Sequence, residues 1–375
     1  MNLQSPPIPV CRPLLPTADR IMPYLKRIDE TRSYSNRGPL AQEFEQRLAG
    51  HFGVATNNVI TSANGTQALT QILKAYDIPP QSYCVMPSWT FIATPAAAVS
   101  ANLIPYFIDV DPTTWAITPE AVLALSKTHR IGSVIVVSPF GAPLNLSPWE
   151  QFYQDTGIPV IIDAAAGFDS FSTIKTSLPF MVSLHATKVF GIGEGAVIVT
   201  KNNDLAERTR MHGNFGFFNS REAQIPGTNA KLSEYAAAVG LAELDTWPHK
   251  RQSWQALTKV FQSLTTENPF LTPSPGFNQG WVSSFGVVSV KPPLTADFLQ
   301  QELKKEGIET VFWWGKGCHT HPAYRDFPRS DLTNTTLLAK QVLGLPYWIG
   351  LDRKNLNRVF TEISKLTNFP KEQCA

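Results

Sequence analysis

The chain has 375 residues, of which 43% are hydrophobic and 17% are charged. This composition is typical of a globular protein and excludes a disordered or membrane-embedded one. The 32 basic and 30 acidic residues leave a net charge of +2, so the chain as a whole has no basic field for nucleic acid. At this length we expect about two domains and a sizeable buried core.

The N-terminal segment from Met1 has neither the basic start nor the apolar run of a secretory signal. No stretch approaches the roughly 20 apolar residues that a membrane helix requires. We therefore expect a cytoplasmic protein that binds neither membranes nor nucleic acid. The cysteines lie far apart without a CxxC or CxH pair, which predicts ordinary thiols and no metal site; they are Cys11, Cys84, Cys318 and Cys374.

Helical and strand patterns alternate through the first half of the chain. Residues 1 to about 40 are rich in proline, arginine and polar residues, which predicts an N-terminal loop segment that ends in a loop signature at 33–39, before an amphipathic run at 40–52. Strands are then predicted at 58–61, 83–86, 103–110, 132–138 and 159–163, and helices at 66–76, 90–101, 119–126 and 146–155. Strands separated by helices of this length predict a parallel sheet with helices on both faces.

The pattern changes in the second half of the chain. Strands are predicted at 181–185 and 196–200, and a helix at 204–211. Beyond a further change near 247–248, the predicted elements are a helix at 253–265, a strand at 281–290, a helix at 295–306, a strand at 308–313 and a helix at 356–366. We therefore predict a large α/β domain over residues 1–250 and a smaller α+β domain over residues 251–375.

The segment Ser62-Ala-Asn-Gly-Thr66 follows a predicted strand and opens a predicted helix. In open parallel α/β sheets, ligands bind outside the carboxyl ends of the strands. Gly65 permits close approach to the backbone, and Thr66 adds a hydroxyl to the free amides of a helix N-terminus, so this turn could hold a phosphate. The same residues also fit an ordinary capped turn.

Asp163 and Lys188 are the two candidate catalytic residues. Asp163 ends an apolar predicted strand, where a buried carboxylate requires a cation or several hydrogen-bond donors, although an aspartate can also simply cap a turn. Lys188 lies between an apolar strand and a glycine-rich segment. Desolvation there could lower its pKa and free the amine for imine chemistry, although a lone lysine is ordinarily a solvated surface residue.

A phosphate turn, a strand-end acid and a lysine 25 positions later are together the parts that pyridoxal 5'-phosphate (PLP) requires. The amine of Lys188 would bind the aldehyde, and Asp163 would keep the ring nitrogen protonated so that the ring acts as an electron sink. The helix terminus would bind the phosphate. The combination predicts a PLP enzyme.

Six motifs carry a resemblance to a known family. They are Asn36-Arg-Gly-Pro with Phe44-Glu45, Asn64-Gly-Thr-Gln-Ala-Leu69, Pro87-Ser-Trp-Thr-Phe91-Ile-Ala-Thr94, Ser183-Leu-His-Ala-Thr-Lys188, Gly193-Glu-Gly195 and Gly227-Thr-Asn-Ala-Lys231. Together they closely resemble the sugar aminotransferases of the DegT/DnrJ/StrS family, which are fold-type I PLP enzymes. The resemblance runs from about residue 33 to 244 and returns more faintly over 307–351.

The resemblance implies an α/β fold, with a fold-type I large domain whose sheet is mostly parallel and a smaller α+β C-terminal domain. It implies that Lys188 binds PLP as a Schiff base, that Asp163 binds the pyridinium nitrogen and that Ser183 binds the phosphate. Phe91 is the implied ring that stacks on PLP, with Trp89 as the alternative.

The family also implies partners for this chain. Asn229 would reach the phosphate of the neighbouring subunit, which implies a homodimer with composite active sites. The implied reaction moves an amino group from an amino-acid donor, glutamate, to a nucleotide-linked 4-keto or 3-keto deoxyhexose, for the amino sugars of surface polysaccharides or secondary metabolites.

One position departs from the family pattern, and a few others are candidates for further roles. Many family members have a glutamine that contacts the phenolic oxygen of PLP where this chain has Ala166, so no such role is assigned here. His185 could relay protons, but a structural hydrogen bond is the favoured interpretation. Tyr34, His319 and His321 are candidate substrate contacts, and Cys318 with the two histidines lacks the second cluster that a metal site would need.

Two other functions would use the same residues. A different PLP reaction, such as elimination or aldol cleavage, would need every cofactor residue, because a fold does not determine the reaction. A non-catalytic regulator or sensor could keep the fold to bind PLP or a sugar.

Overall fold

A computed structural model describes residues 6–366 of the chain. The N-terminal segment at Met1 and the predicted free thiol of Cys374 lie outside the described residues. Within them, the helices in chain order are α1 (Ala18–Thr31), α2 (Pro39–Phe52), α3 (Gly65–Ala75), α4 (Ala93–Ser100), α5 (Pro119–Ser126), α6 (Ser147–Thr156), α7 (Asn203–Gly213), α8 (Glu234–Glu267), α9 (Ala296–Lys305), α10 (Thr333–Gln341) and α11 (Arg353–Leu366).

Seven strands of the described chain form one large sheet. They are β1 (Val59–Ser62), β2 (Tyr83–Pro87), β3 (Ile104–Ile108), β4 (Ile131–Val137), β5 (Val160–Asp163), β6 (Phe180–Ser183) and β7 (Ala196–Val199). Their order is β1-β7-β6-β5-β4-β2-β3, and only β7 runs against the other strands of this sheet. The predicted α/β fold with a mostly parallel sheet is confirmed.

The direction of β7 follows from its connection to β6. The segment 184–195 between these strands contains no helix, and parallel neighbours require a crossover that usually includes one. The chain therefore returns antiparallel, with Ser183 opposite Ala196. This return places the loop that carries Lys188 at the carboxyl end of the parallel strands.

The sheet is buried on both faces, as expected for parallel strands covered by helices. Successive residues of β4 show this, because Val134 and Val136 belong to one buried cluster whereas Ile135 and Val137 belong to another. Side chains alternate between faces along a strand, so the two clusters are the two layers of core above and below the sheet.

A second, smaller sheet lies in the C-terminal part of the described chain. Its strands are β8 (Leu271–Pro273), β9 (Gly286–Val290) and β10 (Val342–Leu345), paired antiparallel in the order β10-β9-β8. Helix α8 packs against α1 and α2 and also against β8 and α11. The helix predicted at 253–265 is the C-terminal part of α8, which continues through Pro248. The division into two domains near residue 250 stays a prediction.

Three predicted features of the chain were wrong. The N-terminal 40 residues contain helix α1, although Pro23 and the polar composition favoured a loop; Ile21, Tyr24, Leu25 and Ile28 pack against the core. The predicted strand 308–313 forms only isolated bridges, at Ile308 with Ile8 and at Val311 with Gly344. The predicted strand 281–290 is limited to β9, while α10, β8 and β10 had not been predicted.

No helix in residues 6–366 is long and apolar enough to cross a membrane.

Candidate active site

A cavity of about 680 Å³ opens at the carboxyl ends of β4, β5 and β6. Its walls include the start of α3, the ends of the three strands and the loop after β6, which bring together Gly65, Thr66, Asp163, Ser183 and Lys188. Parallel strands expose their carboxyl ends at one edge of a sheet, so residues distant in the sequence meet there. The structure thus gathers most of the predicted site residues in one cavity.

The turn before α3 leaves backbone donors facing this cavity. The Asn64 side chain caps the helix by accepting a hydrogen bond of 2.9 Å from the Gln67 amide. The amides of Gly65 and Thr66, at the first two helical positions, have no partner within a helix. A Cβ atom at residue 65 would lie 3.3 Å from the Met181 sulfur, so glycine keeps the turn close to β6. Free amides at a helix N-terminus attract an anion.

Asp163 is a buried carboxylate at the end of β5, only 5% exposed. Thr94 donates a hydrogen bond of 2.9 Å to Oδ2, and the Ala165 amide donates one of 3.2 Å to Oδ1. Burial raises the pKa of Asp163, and the Thr94 hydroxyl, the Ala165 amide and the positive charge of Lys188 partly oppose this. A cationic ligand group in the cavity would offset the cost of burying this charge.

Lys188 lies in the loop between β6 and β7 with its amine against an aromatic ring. Its Nζ is 4.8 Å from the centre of the Phe285 ring. Desolvation lowers the pKa of Lys188 to about 8, although the negative charge of Asp163 favours the ammonium form. The uncharged fraction of the amine near neutral pH is therefore far larger than in an ordinary lysine, and an uncharged amine can act as a nucleophile or a base.

The residues beside Lys188 hydrogen-bond within their own loop. Ser183 accepts from the His185 amide at 3.3 Å, and His185 Nδ1 lies 2.9 Å from the Thr187 hydroxyl. His185 Nε2 lies 3.7 Å from Glu194. These contacts shape the loop, and the Ser183 hydroxyl still lines the cavity.

Phe91 and Trp89 are the two candidates for the ring that stacks on PLP, and they differ in exposure. Phe91 lines the cavity and is 60% exposed, whereas Trp89 is 2% exposed. The Trp89 ring packs edge-on against Trp115, Phe140 and Trp314 and does not line the cavity. Of the two, only Phe91 has a face that a ligand in this cavity could contact.

Four predicted site residues lie away from the cavity of the same chain. Asn229 is exposed and pairs with Asn214 in a short bridge. Tyr34 is exposed and stacks on Tyr235, with ring centres 6.3 Å apart. His319 Nδ1 lies 2.7 Å from the Ser88 hydroxyl, and His321 is exposed.

The sequence reasoning missed one polar and several aromatic residues of the site. Thr94 had been quoted as part of a motif but given no role, yet it holds Asp163. Phe140, Phe285 and Trp314 form an aromatic wall, in which the Phe140 and Trp314 rings stack 4.2 Å apart. From the sequence, the aromatic run at 312–314 predicts core by default and a sugar-stacking platform as the alternative, and the structure places Trp314 on the cavity wall. Ala166 lines the cavity and offers no side-chain donor.

The chain is similar to proteins of known sequence and of known structure. A relative from Mycobacterium bovis, Protein Mb3436c, is 33% identical over 249 residues, which are 64% of this chain and 60% of the relative. The chain thus spans less than two thirds of the length of that relative. The dTDP-4-amino-4,6-dideoxy-D-glucose transaminase of Shigella dysenteriae is 28% identical over 96% of this chain and 99% of its own length.

A solved structure matches the fold over nearly its whole length. It is DesI in the presence of its TDP-sugar product, with a TM-score of 0.88, 30% identity, and coverage of 98% of this chain and 95% of that one. The sequence model of the DegT/DnrJ/EryC1/StrS aminotransferase family matches residues 17–364. The resemblance predicted from the motifs is confirmed, and the chain belongs to the DegT/DnrJ/EryC1/StrS aminotransferase family.

Proposed function

We propose that this protein is a PLP-dependent aminotransferase that moves an amino group from glutamate to a keto-deoxysugar linked to a nucleotide. The observation that carries the proposal is the placement of Asp163 and Lys188 in one cavity, next to the free amides of the turn before α3. PLP has an aldehyde, a basic ring nitrogen and a phosphate, and each finds a chemically suitable group there. The residues present therefore fit this cofactor.

Each part of the cofactor has a proposed partner. Lys188 would attach to the aldehyde, and the buried Asp163 would pair with the protonated ring nitrogen. The Ser183 hydroxyl, the Gly65 amide, and the amide and hydroxyl of Thr66 would hold the phosphate. Phe91, the exposed ring at the cavity, would stack on the cofactor ring.

The bound cofactor supplies an electron sink that stabilises a negative charge on the substrate carbon. The protein supplies the proton transfer. Because burial brings the pKa of Lys188 to about 8, its amine can accept a proton from the substrate carbon and return it near neutral pH. Thr94 keeps the Asp163 carboxylate oriented while this happens.

The substrate class rests on the relatives. The Shigella dysenteriae relative is named for a dTDP-linked amino-dideoxysugar, and DesI was solved with a TDP-sugar product. The aromatic wall of Phe140, Phe285 and Trp314 supports such a ligand, because sugar rings with few hydroxyls present apolar faces to aromatic side chains. Amino sugars made by such a reaction would serve surface polysaccharides or secondary metabolites.

A homodimer with composite sites is part of the proposal. Asn229 is exposed and lies outside the cavity of its own chain, which supports a role at the site of a second copy. Tyr34 and Tyr235 form an exposed aromatic pair, which is the kind of surface that a subunit interface covers.

Incubation of the purified protein with PLP, glutamate and a panel of nucleotide-linked ketosugars tests this function. We expect mass spectrometry to detect an amino sugar nucleotide and an equal amount of 2-oxoglutarate. Protein that stays colourless with added PLP would contradict the cofactor. Protein that binds PLP but releases pyruvate or cleaves a carbon bond would instead indicate a different PLP reaction.

A further inference from the structure

The turn between β2 and α4 is held by a distant C-terminal segment. The Cys318 amide donates a hydrogen bond of 2.7 Å to the Ser88 carbonyl, and His319 Nδ1 lies 2.7 Å from the Ser88 hydroxyl. The Cys318 thiol contacts the Thr90 carbonyl at 3.3 Å. The His319 amide also lies 3.4 Å from the Ser88 hydroxyl. Four polar contacts thus join residues 318–319 to residues 88–90, which are more than two hundred positions earlier.

The same turn leads directly to the groups around Asp163. The hydroxyls of Thr90 and Thr94 are 3.0 Å apart, and Thr94 donates to Asp163 at 2.9 Å. Ser88, Thr90 and Thr94 are at most 2% exposed, so no water competes for these bonds. A shift of the turn would move the Thr94 hydroxyl from the carboxylate and displace Phe91, which follows Thr90 in the chain.

We propose that His319 is a positioning residue that fixes the Ser88–Phe91 turn and, through it, the Thr94 hydrogen bond to Asp163. This inference rests on the proposed function, because it assigns His319 an effect on cofactor binding. His319 does not line the cavity, so it acts through Ser88 and not by contact with the substrate.

The surroundings of His319 suit this role. Burial and the nearby positive charge of Arg329 lower the pKa of His319, which Asp109 partly opposes, so the ring stays neutral near pH 7. Asp109 in turn accepts hydrogen bonds from the amides of Asn334 and Thr335, both at 2.7 Å. These bonds hold the start of α10 to the residue that follows β3, and a Cβ atom at Gly317 would lie 3.1 Å from the Thr335 side chain, so the segment that carries His319 packs against this fixed point.

Variants at both ends of the His319–Ser88 bond test the proposal. His319→Leu removes the hydrogen bond, whereas His319→Asn keeps a polar group at the position of Nδ1. Ser88→Ala removes the other partner with little change in volume, so it remains informative if His319→Leu fails to fold. Lys316→Leu, three residues before His319 and exposed, is the control on the same segment.

The first readout is the dissociation constant of PLP, measured by visible absorbance and by quenching of tryptophan fluorescence. We expect His319→Leu and Ser88→Ala each to raise it by about 10-fold, as for the loss of one buried hydrogen bond. The double variant should be no weaker than Ser88→Ala alone, because that substitution already removes both contacts of the Ser88 hydroxyl with His319. His319→Asn should restore binding to near the wild-type value, and Lys316→Leu should leave it unchanged.

The second readout is the pH titration of the visible absorbance of the PLP-loaded protein. We expect its midpoint to shift in His319→Leu and to return in His319→Asn, because the midpoint reports the charge balance around Asp163 and Lys188.

Any one of three results would overturn the positioning role while leaving the proposed function intact. They are wild-type affinity in His319→Leu and Ser88→Ala, additive effects in the double variant, and no rescue by His319→Asn. A wild-type protein that binds no PLP would overturn both.

Discussion

Burial shifts the pKa values of the two central residues in opposite directions. It raises that of Asp163 and lowers that of Lys188, and each charge partly opposes the shift of the other. A carboxylate and an amine that share a cavity therefore both titrate nearer to neutral pH than they would in water. This has a direct consequence for the reaction of Lys188 with the aldehyde.

The rate at which PLP attaches to the apoprotein should depend on pH through Lys188. Only the deprotonated amine attacks the aldehyde, so the rate should rise with pH and level off above about 8, not near the ordinary lysine pKa of 10.5. Asp163→Asn should move the inflection to lower pH, because the aspartate charge favours the ammonium form. Stopped-flow absorbance between about pH 6 and about pH 10 measures this, and a rate still rising at the upper limit would be inconsistent with a desolvated amine.

Thr94 should contribute to cofactor binding through its hydrogen bond to Asp163. Thr94→Val keeps the shape of the side chain but removes the donor, and we expect the PLP dissociation constant to rise by about 10-fold, or ~1.4 kcal/mol. Thr94→Ser retains the hydroxyl and should bind within a few-fold of wild type. Equal affinity in the valine and serine variants would show that the hydroxyl has no part in binding.

The sequence allowed some site residues to be predicted and not others, for a physical reason. Asp163 ends a strand and Lys188 follows one, and apolar runs and glycines in the sequence indicate where such strands end and loops begin. Phe140, Phe285 and Trp314 meet only through tertiary packing across more than 170 residues of chain. No local pattern records such contacts, so the aromatic wall became visible only in the structure.

At the scale of elements, helices α2 and α8 pack closely at a glycine. A Cβ atom at Gly240 would lie 2.5 Å from Cζ of the buried Phe44 ring. Gly240→Ala should therefore lower the free energy of unfolding by about 1–3 kcal/mol. Urea unfolding followed by circular dichroism measures the change.

Gly50 provides a matched control for this substitution. It is also a helical glycine, exposed near the end of α2, and a Cβ atom there would meet nothing within 4 Å. Gly50→Ala should leave stability unchanged or raise it by up to about 1 kcal/mol, through helix propensity. If both alanine variants behaved alike, close packing at Gly240 could not be the reason.

The elements differ in how far the sequence predicted them. The alternation of buried strands with helices was enough to predict the parallel sheet, because each strand reads as a continuous apolar run. Helix α1 was missed because Pro23 interrupts its pattern, yet its apolar residues lie on one face and pack on the core. The segment 308–313 has strand-like residues but bridges to two different neighbours, so it joins no sheet.

At the scale of the whole molecule, the proposal requires two copies of the chain. Asn229 lies outside the cavity that holds Lys188 in the same chain. If Asn229 acts at the partner's site, each active site combines Lys188 of one chain with Asn229 of the other. Lys188→Ala and Asn229→Ala then impair a site through different chains. A mixed dimer of the two variants then contains one site with both residues intact.

Co-expression of the two variants with different tags tests this arrangement. Each variant alone should be strongly impaired, and an equal mixture should recover about a quarter of wild-type activity, from the half of dimers that are mixed and have one good site each. If the mixture is no more active than the separate variants, then either Asn229 and Lys188 of the same chain act in one site, or Asn229 has no role in the reaction.

The attachment of PLP to Lys188 is the central claim, and reduction with borohydride followed by peptide mass spectrometry tests it most directly. Reduction makes the bond between the cofactor and its lysine permanent, so the labelled residue can be read from the fragments. We expect one pyridoxyl group per chain, on Lys188, and none in Lys188→Ala. A label on another lysine such as Lys231 or Lys250, or no label on protein saturated with PLP, would contradict the assignment of this site.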